Sequence, residues 1–197
     1  GLDPEPTMRP AETLDVAADP DALDVASRNG SITVVVDPAA EGLTIVADLQ
    51  AGGATREQAE SRLAGAEIEV VEASDGTVRI RPRMPDRWRN GDAASLHVTL
   101  TTPAAVRARS SNGALRVEGG SGPIELDTSN GRITLVATHG PVEAETSNGR
   151  LVLIDTVGDV TATSSNGRIE VTNHLGGLDL RTSNGPVRIT LHDEATG

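Results

Sequence analysis

The sequence predicts an all-β protein, a single-chain parallel β-solenoid with 18-residue coils, preceded by an irregular β-rich N-terminal region with one short helix. Two observations carry this prediction. Ser-Asn-Gly triplets recur every 18 residues, and a second glycine follows ten residues after each of the first four asparagines. A short fixed period with two turn signals per repeat is typical of a solenoid. The asparagines are Asn112, Asn130, Asn148, Asn166 and Asn184, their glycines are Gly113, Gly131, Gly149, Gly167 and Gly185, and the second glycines are Gly122, Gly140, Gly158 and Gly176.

Three regions follow from the pattern: a flexible tail over 1–12, a β-rich capping region over 13–100 and the solenoid array over 101–197. The tail is polar and rich in proline, which is typical of a mobile terminus. One interpretation of its start at Gly1 is that a signal or an anchor has been removed upstream.

The capping region contains short β-branched segments bounded by turn residues, which indicate strands. Thr55 and Gln58 have the spacing of a helix capping box, so a helix is expected over 54–63. Ser74-Asp75-Gly76 separates two of the strands and indicates a hairpin. The strands are expected at 23–25, 31–36, 42–47, 66–71, 77–81 and 96–100.

In the array, apolar residues alternate after each turn, and this period of two places each pair on one inward face. One coil buries too little apolar surface to offset its own ordering cost, so the coils are expected to fold cooperatively. The crossover rule favours right-handed winding. The inward pairs are Leu115/Val117, Ile133/Leu135, Leu151/Leu153, Ile169/Val171 and Val187/Ile189 after the Asn-Gly turn, and Val106/Ala108, Ile124/Leu126, Val142/Ala144, Val160/Ala162 and Leu178/Leu180 after the second turn.

The Asn-Gly corner has a structural interpretation. Glycine and asparagine tolerate positive φ, and stacked asparagine amides can form a hydrogen-bonded ladder. The preceding hydroxyls, such as Thr128 and Ser129, are expected to tie each corner to its neighbour. The alternative is that the same Thr-Ser-Asn edge binds a ligand.

Composition excludes several classes of function. The net charge is −12, which disfavours nucleic acid and anionic membrane surfaces as partners. Cysteine is absent, so disulfides and thiolate chemistry are excluded. No P-loop or Rossmann motif is present, and no cofactor is expected. Trp88, in a polar loop with Arg83, Arg87 and Arg89, is the one aromatic residue that could serve as a platform for a sugar.

The repeat unit Thr128-Ser129-Asn130-Gly131-Arg132-Ile133-Thr134-Leu135 resembles the bacterial putative-adhesin, or toastrack, β-strand repeat family, a domain of unknown function. The resemblance is close over 103–190 and looser over 13–100. It implies a solenoid, an association with the bacterial envelope and with envelope-stress systems, and no established catalysis. It also implies a location at the cell envelope or outside the cell, while a cytoplasmic location stays open. The family supplies no functional residues to transfer.

Two charged surfaces are candidate binding sites. Carboxylates on neighbouring second strands, at Glu125, Asp127, Glu143 and Glu145, could hold Ca²⁺ or act as a catalytic pair, or could form an ordinary solvated face. Arginines at one position of three successive coils could grip a polyanion or a partner's carboxylates, or could offset the acidic surface. These arginines are Arg132, Arg150 and Arg168.

Three other features bear on partners. Val136, Val152 and Ile154 are expected to point outward, either at an interface or beneath the N-terminal region. His174 and His192 share one coil position, but two histidines are too few for a metal site, and no metal is predicted. The last strand, 187–191, has no following second strand, so either the array is truncated or this edge pairs with another chain.

The sequence therefore favours a non-enzymatic, cell-envelope-associated β-solenoid that acts as a scaffold, an adhesin-like module or an envelope-stress interaction module. Its expected partner is a protein or a second copy paired through the sheet edge, with a glycan also possible and a membrane only through a missing anchor. The alternative is a polysaccharide-binding or polysaccharide-cleaving solenoid that uses the acidic face.

Overall fold

The computed structural model describes residues 6–191. These residues form two large, mostly parallel β-sheets and one helix, which confirms the all-β class. Sheet A contains β1 (Thr7–Met8), β2 (Glu12–Val16), β4 (Ile32–Val36), β5 (Leu43–Ala51), β8 (Ala93–Leu100), β10 (Leu115–Glu118), β12 (Ile133–Val136), β14 (Leu151–Val157), β16 (Ile169–Leu175) and β18 (Val187–Thr190). Sheet B contains β3 (Ala22–Asn29), β6 (Glu67–Glu72), β7 (Thr77–Arg83), β9 (Ala105–Asn112), β11 (Ile124–Thr128), β13 (Val142–Thr146), β15 (Val160–Ser164) and β17 (Leu178–Thr182).

From residue 105 onward, each 18-residue repeat adds one strand to each sheet. Strands one repeat apart pair in parallel and in register, so that Leu115 lies beside Ile133 and Ile133 beside Leu151. Sheet B repeats this arrangement with Ile124 beside Val142. Alternation then sends every second side chain of each strand into the space between the sheets.

The inward pairs fill one continuous core. The pairs are buried from Val106 and Leu115 through Ala162 and Val171, as the alternation predicts. In the final repeat, Leu178 and Leu180 are only half-buried, while Val187 and Ile189 are 43% and 50% exposed. Within residues 6–191 no further strand covers that repeat, so its apolar side chains keep contact with solvent.

The N-terminal region does more than precede the array. Strand β3 pairs in parallel with β7 on one side and with β9 on the other, and β4 lies in the same way between β8 and β10. The core runs from Leu23 and Ile32 into the later repeats without a break. Both sheets therefore contain strands from before and after residue 100. The division of the chain into separate regions at that point stays a prediction.

Antiparallel strands close this end of the sheets. Strand β5 pairs with β8, β2 and β1 pair with β5, and β6 pairs with β7 in the expected hairpin. The one helix, α1 (Arg56–Ala64), begins two residues later than expected. Thr55 caps it by accepting from the Gln58 amide at 3.1 Å, while Gln58 Oε1 accepts from the Ala54 amide at 2.8 Å.

A buried ion pair fastens α1 to the loop before β8. Arg62 donates to both carboxylate oxygens of Asp92 at 2.7 and 2.8 Å, and it also donates to Asp86. Asp92 is 1% exposed and accepts from the backbone amides of Gly52 and Arg89 as well. Burial alone would raise the pKa of Asp92, but these hydrogen bonds and the charge of Arg62 hold the pKa below its usual value.

Candidate functional site

The corner asparagines form a ladder of side-chain amides. In each repeat, Nδ2 donates to Oδ1 of the asparagine in the repeat before it, at 2.8 to 2.9 Å. The ladder continues to a sixth member, because Asn112 donates to Asn29 at 2.8 Å. The rungs are Asn130 to Asn112, Asn148 to Asn130, Asn166 to Asn148 and Asn184 to Asn166.

The corner glycines are required by close packing between repeats and not by a positive φ. None of Gly113, Gly131, Gly149, Gly167 and Gly185 has a positive φ, so the expected backbone argument is wrong for this corner. The glycines instead stack in close contact. A Cβ on Gly149 would lie 1.8 Å from the carbonyl oxygen of Gly131, and a Cβ on Gly131 would lie 2.0 Å from that of Gly113. Any larger residue would force the repeats apart.

The buried hydroxyl that begins each corner motif satisfies a glycine carbonyl. Thr128 donates to the carbonyl of Gly113 at 2.9 Å, Thr146 donates to that of Gly131 at 3.0 Å, and both side chains are 1% exposed. The amide of Asn130 meanwhile donates to Ser111 O at 3.0 Å. The threonine and asparagine of the Thr-Ser-Asn-Gly motif thus bond to the preceding repeat. The serine and asparagine side chains are the exposed members of the motif, and the asparagine side chain is engaged in the ladder.

The second corner is where positive φ occurs. Gly140, Gly158 and Gly176 have φ of 127°, 120° and 124°. Three residues before each glycine, a non-glycine residue also lies in the left-handed region, with φ of 54° at Ala137, 53° at Asp155 and 56° at Asn173. Asparagine and aspartate tolerate this region better than alanine does. Ala137 is therefore a strained position.

The four predicted carboxylates are exposed on the outer face of sheet B. Two in-register rows of outward side chains make up this surface, which we call the sheet B face. The first row contains Asp24, Arg107, Glu125, Glu143, Thr161 and Asp179, and the second contains Ala26, Arg109, Asp127, Glu145, Thr163 and Arg181. The structure brings Glu125 beside Glu143 and Asp127 beside Glu145. Arg107 lies 3.5 Å from Glu125, so arginines from the preceding strand border the acidic cluster.

An open groove of about 570 Å³ runs along one side of the sheet B face. Glu125 and Glu143 line it, together with Arg107 and Asp159, which sequence reasoning did not select. Pro123 and Pro141 add apolar surface at the start of successive strands. The 18-residue spacing of these two prolines is the sequence signal that could have identified them. Asp127 and Glu145 do not line the groove.

The three predicted arginines follow the Asn-Gly corner in successive repeats, but they do not share one environment. Arg132 is exposed. Arg168 binds Glu170 at 3.1 Å, and Arg150 approaches the same carboxylate at 4.0 Å. The hydrogen bond from Arg168, with the nearby charges of Arg150 and Arg168, holds the pKa of Glu170 below its usual value. Glu170 therefore offsets two of the three arginines.

The predicted apolar residues Val136, Val152 and Ile154 lie on the outer face of sheet A, and all three are half-buried. Thr134, beside Val152, is only 8% exposed. Ion pairs stand on either side of this group, Arg116 with Glu118 and Arg168 with Glu170. The patch is therefore small and has a charged border.

His174 bonds to the hydroxyl of Thr156 at 2.7 Å through Nδ1. Its predicted stacking partner, His192, lies outside the described residues. Between residues 6 and 191, no three His, Cys, Asp or Glu residues are grouped to hold a metal ion. Within the same span, no helix has the length and apolar character needed to cross a membrane.

No family model and no curated protein matches this chain. Among solved structures, it is similar to a putative adhesin from Bacteroides fragilis, at 12% identity and a TM-score of 0.47 over 96% of this chain and 100% of that one. It is also similar to a putative cell adhesion protein from Clostridium sporogenes, at 10% identity and a TM-score of 0.44 over 95% of this chain and 100% of that one. A putative lipid binding protein from Parabacteroides distasonis has 13% identity and a TM-score of 0.31, over 96% of this chain and 97% of that one.

Two of these three structures are named as adhesion proteins, as is the family that the sequence resembles.

Proposed function

We propose that this chain is a non-enzymatic β-solenoid of the bacterial cell envelope, whose sheet B face binds a protein partner. The solenoid is supported by the pairing of strands 18 residues apart in both sheets. Right-handed winding is part of the proposal. An adhesin-like or scaffolding role suits a protein that keeps its core between two sheets and leaves both outer faces for contact.

The observation that carries the proposal is the sheet B face itself. Its two rows cross six neighbouring strands in unbroken register, from β3 to β17. Strands in a sheet lie about 4.8 Å apart, so six strands span roughly 24 Å. The charge changes along this length, from the basic Arg107 and Arg109 to the acidic cluster and then to the neutral Thr161 and Thr163. Such a surface can fix the register of an extended protein partner.

The geometry of the carboxylates argues against catalysis. Glu125 and Glu143 are exposed neighbours on a single sheet face. Catalytic carboxylate pairs in glycoside hydrolases flank the scissile bond from two sides and require different pKa values. Glu125 and Glu143 instead share one exposed environment in a single row, which favours a binding surface over a catalytic pair.

The second candidate is the binding or cleavage of a polysaccharide at the acidic cluster. The groove favours it, because about 570 Å³ is enough for sugar units and both Glu125 and Glu143 line it. Glu143→Gln tests this candidate in a glycan screen with a reducing-end assay, and Glu57→Gln on the exposed side of α1 is the control. Glycan binding or cleavage lost only in Glu143→Gln would favour the second candidate over a protein partner.

Site-specific photocrosslinking tests the protein partner. A photoreactive residue replaces Thr161 on the sheet B face, and in a control protein it replaces Thr172 on the outer face of sheet A. Each protein is irradiated with envelope fractions of the source cells. We expect a discrete crosslinked protein from position 161 alone. Equal products from both positions, or no product from 161, would contradict the proposal.

A further inference from the structure

A second cavity lies where the C-terminal ends of β7, β3 and β9 meet the loop before β8. Its volume is about 440 Å³, and the residues around it differ from those of the groove on the sheet B face. Arg28, Arg81 and Arg83 contribute the charged surface, and Trp88 forms one wall. Ser27 and Ser111 add hydroxyl groups.

The charge of this cavity is opposite to that of the whole protein. Three arginines and no carboxylate line it, although the chain carries a net charge of −12. Arg81 is held by Asp24 at 3.0 Å, and Arg83 is held by Glu69 at 3.2 Å. Arg28 is exposed, and within residues 6–191 no carboxylate forms an ion pair with it. Its guanidinium is therefore available to a ligand anion.

The loop holds Trp88 in place before any ligand arrives. Arg62 donates to Asp86 and to the carbonyl of Arg87 on one side of the tryptophan, and Asp92 accepts from the Arg89 amide on the other. Trp88 packs on an apolar cluster that includes Leu49, Leu63 and Met84. A ring fixed in this way loses little entropy when a ligand stacks on it.

We propose that this cavity binds a carboxylated sugar, a uronate unit of an acidic polysaccharide. The guanidinium of Arg28 pairs with the carboxylate, since arginine is suited to bidentate recognition of carboxylates. Trp88 supplies a flat apolar surface for the C–H face of the sugar ring. The serine oxygens accept from the ring hydroxyl groups, since the Ser27 hydroxyl itself donates to the carbonyl of Ala94 at 2.8 Å.

The surroundings suit a polymer. A neighbouring cavity of about 360 Å³ shares Ala26, Ser27 and Ser111 with the first and extends to Arg109, Asp127 and Ser129, so that one arginine and one carboxylate border it. Beyond it, the exposed serines of the corner motif recur once per repeat, at Ser147, Ser165 and Ser183. Further sugar units can follow this line of hydroxyl groups along the stack.

The sequence provides a specific signal for the test. Trp88 is the chain's only residue among Trp, Tyr and Phe, so the intrinsic fluorescence of the whole chain reports on the surroundings of this one side chain, and Arg28→Gln ties a change to this cavity. The probe is a short oligogalacturonate, and the matched ligand is its fully methyl-esterified form, which lacks the carboxylates. We expect a saturable change in Trp88 fluorescence with the acid, matched by calorimetry, and affinity at least about tenfold weaker for the ester.

The variant Arg28→Gln removes the available guanidinium without breaking an ion pair between described residues. We expect it to unfold at the temperature of the parent and to bind the acid at least about tenfold more weakly. Arg56→Gln, an equal change of charge on α1, should bind as the parent does. The proposal is overturned by unchanged affinity in Arg28→Gln, by equal loss in both variants, by equal binding of acid and ester, or by calorimetric binding without a fluorescence change. Loss of uronate binding would leave the protein contact at Thr161 unaffected.

Discussion

The side-chain amide of Asn112 donates to Oδ1 of Asn29 at 2.8 Å, across 83 residues of sequence. Every other rung of the ladder spans 18 residues. This contact joins β3 to the regular repeats, and Asn29 also donates to the carbonyl of Asp92 at 3.2 Å. The ladder thus continues into the N-terminal region, where antiparallel strands, and not a further repeat, close the end of the sheets.

Gly149→Ala should destabilise the protein strongly. The new Cβ would meet the carbonyl oxygen of Gly131 at 1.8 Å, and neither atom can rotate away, because the backbone fixes both positions. We expect a loss of about 3 kcal/mol or more in the free energy of unfolding, measured by urea denaturation. Gly177→Ala is the control, because its Cβ would meet only the side chain of Asp159, at 2.9 Å. A Gly149→Ala protein as stable as the control would show that close stacking is not required.

Ala137→Gly should stabilise the protein. Ala137 has φ of 54°, and a left-handed conformation costs a non-glycine residue roughly 1–2 kcal/mol. The freedom that glycine adds to the unfolded chain offsets about 0.5–1 kcal/mol of this relief. We expect the free energy of unfolding to rise by about 0.5–1 kcal/mol. Ala114→Gly, at an exposed position without positive φ, should lower it by a similar amount, because glycine only adds freedom to the unfolded chain there. A loss of stability in both variants would refute the strain at Ala137.

The cost of removing an asparagine should depend on its place in the ladder. Asn148 donates to Asn130 and accepts from Asn166, whereas Asn184 makes only a donor bond to Asn166 within residues 6–191. At about 0.5–1 kcal/mol for each exposed bond, Asn148→Ala should cost about twice as much as Asn184→Ala. Thermal or chemical unfolding of the two variants measures the ratio. Equal costs would show that the number of ladder hydrogen bonds does not set the cost of removing an asparagine.

Asp92→Asn should reveal the buried ion pair through its dependence on pH. Removing one partner of a buried pair costs about 3 kcal/mol, because Arg62 loses its main counter-charge. The pKa of Asp92 is lower in the folded chain than in the unfolded chain, so the carboxylate stabilises the fold above about pH 4, and this contribution is lost as the pH falls further.

The difference in unfolding free energy between the parent and Asp92→Asn should therefore be constant near neutral pH and shrink in acid. Glu60→Gln, which breaks the exposed pair with Arg56, should cost less than about 0.5 kcal/mol at every pH. A difference that grows as the pH falls would contradict the assignment.

The regular part of the fold could be predicted because its signals are periodic. Alternating pairs such as Ile133 and Leu135 identified the core face, and the fixed spacing of Asn130 and Asn148 identified strands that pair. The place of β3 between β7 and β9 could not be predicted in this way. An 83-residue separation breaks the period, and no local pattern shows which strands pair across so many residues.

Other features depend on distances that a sequence does not contain. The need for Gly131 and Gly149 comes from the stacking of one repeat on the next, not from a local turn preference. Arg62 and Asp92 stand 30 residues apart, and charged residues in a polar segment normally indicate surface. The four carboxylates were placed on one face by alternation, but the prolines and Arg107 beside them became relevant only through the groove.

The insertion of β3 between β7 and β9 supports both proposed sites, since Asp24 lines the groove and Arg28 lines the second cavity. Disulfide formation tests it directly, because the chain has no cysteine of its own. Ala26 and Arg109 are in register on adjacent strands, and the position of Asp127 lies one strand further. Cα atoms about 5 Å apart allow a disulfide and those about 10 Å apart do not.

We therefore predict that the double variant Ala26→Cys/Arg109→Cys forms an intramolecular disulfide in mild oxidant, seen as a linked peptide by mass spectrometry. Ala26→Cys/Asp127→Cys should keep its free thiols. Equal crosslinking of the two double variants, or crosslinking of the second alone, would contradict the account.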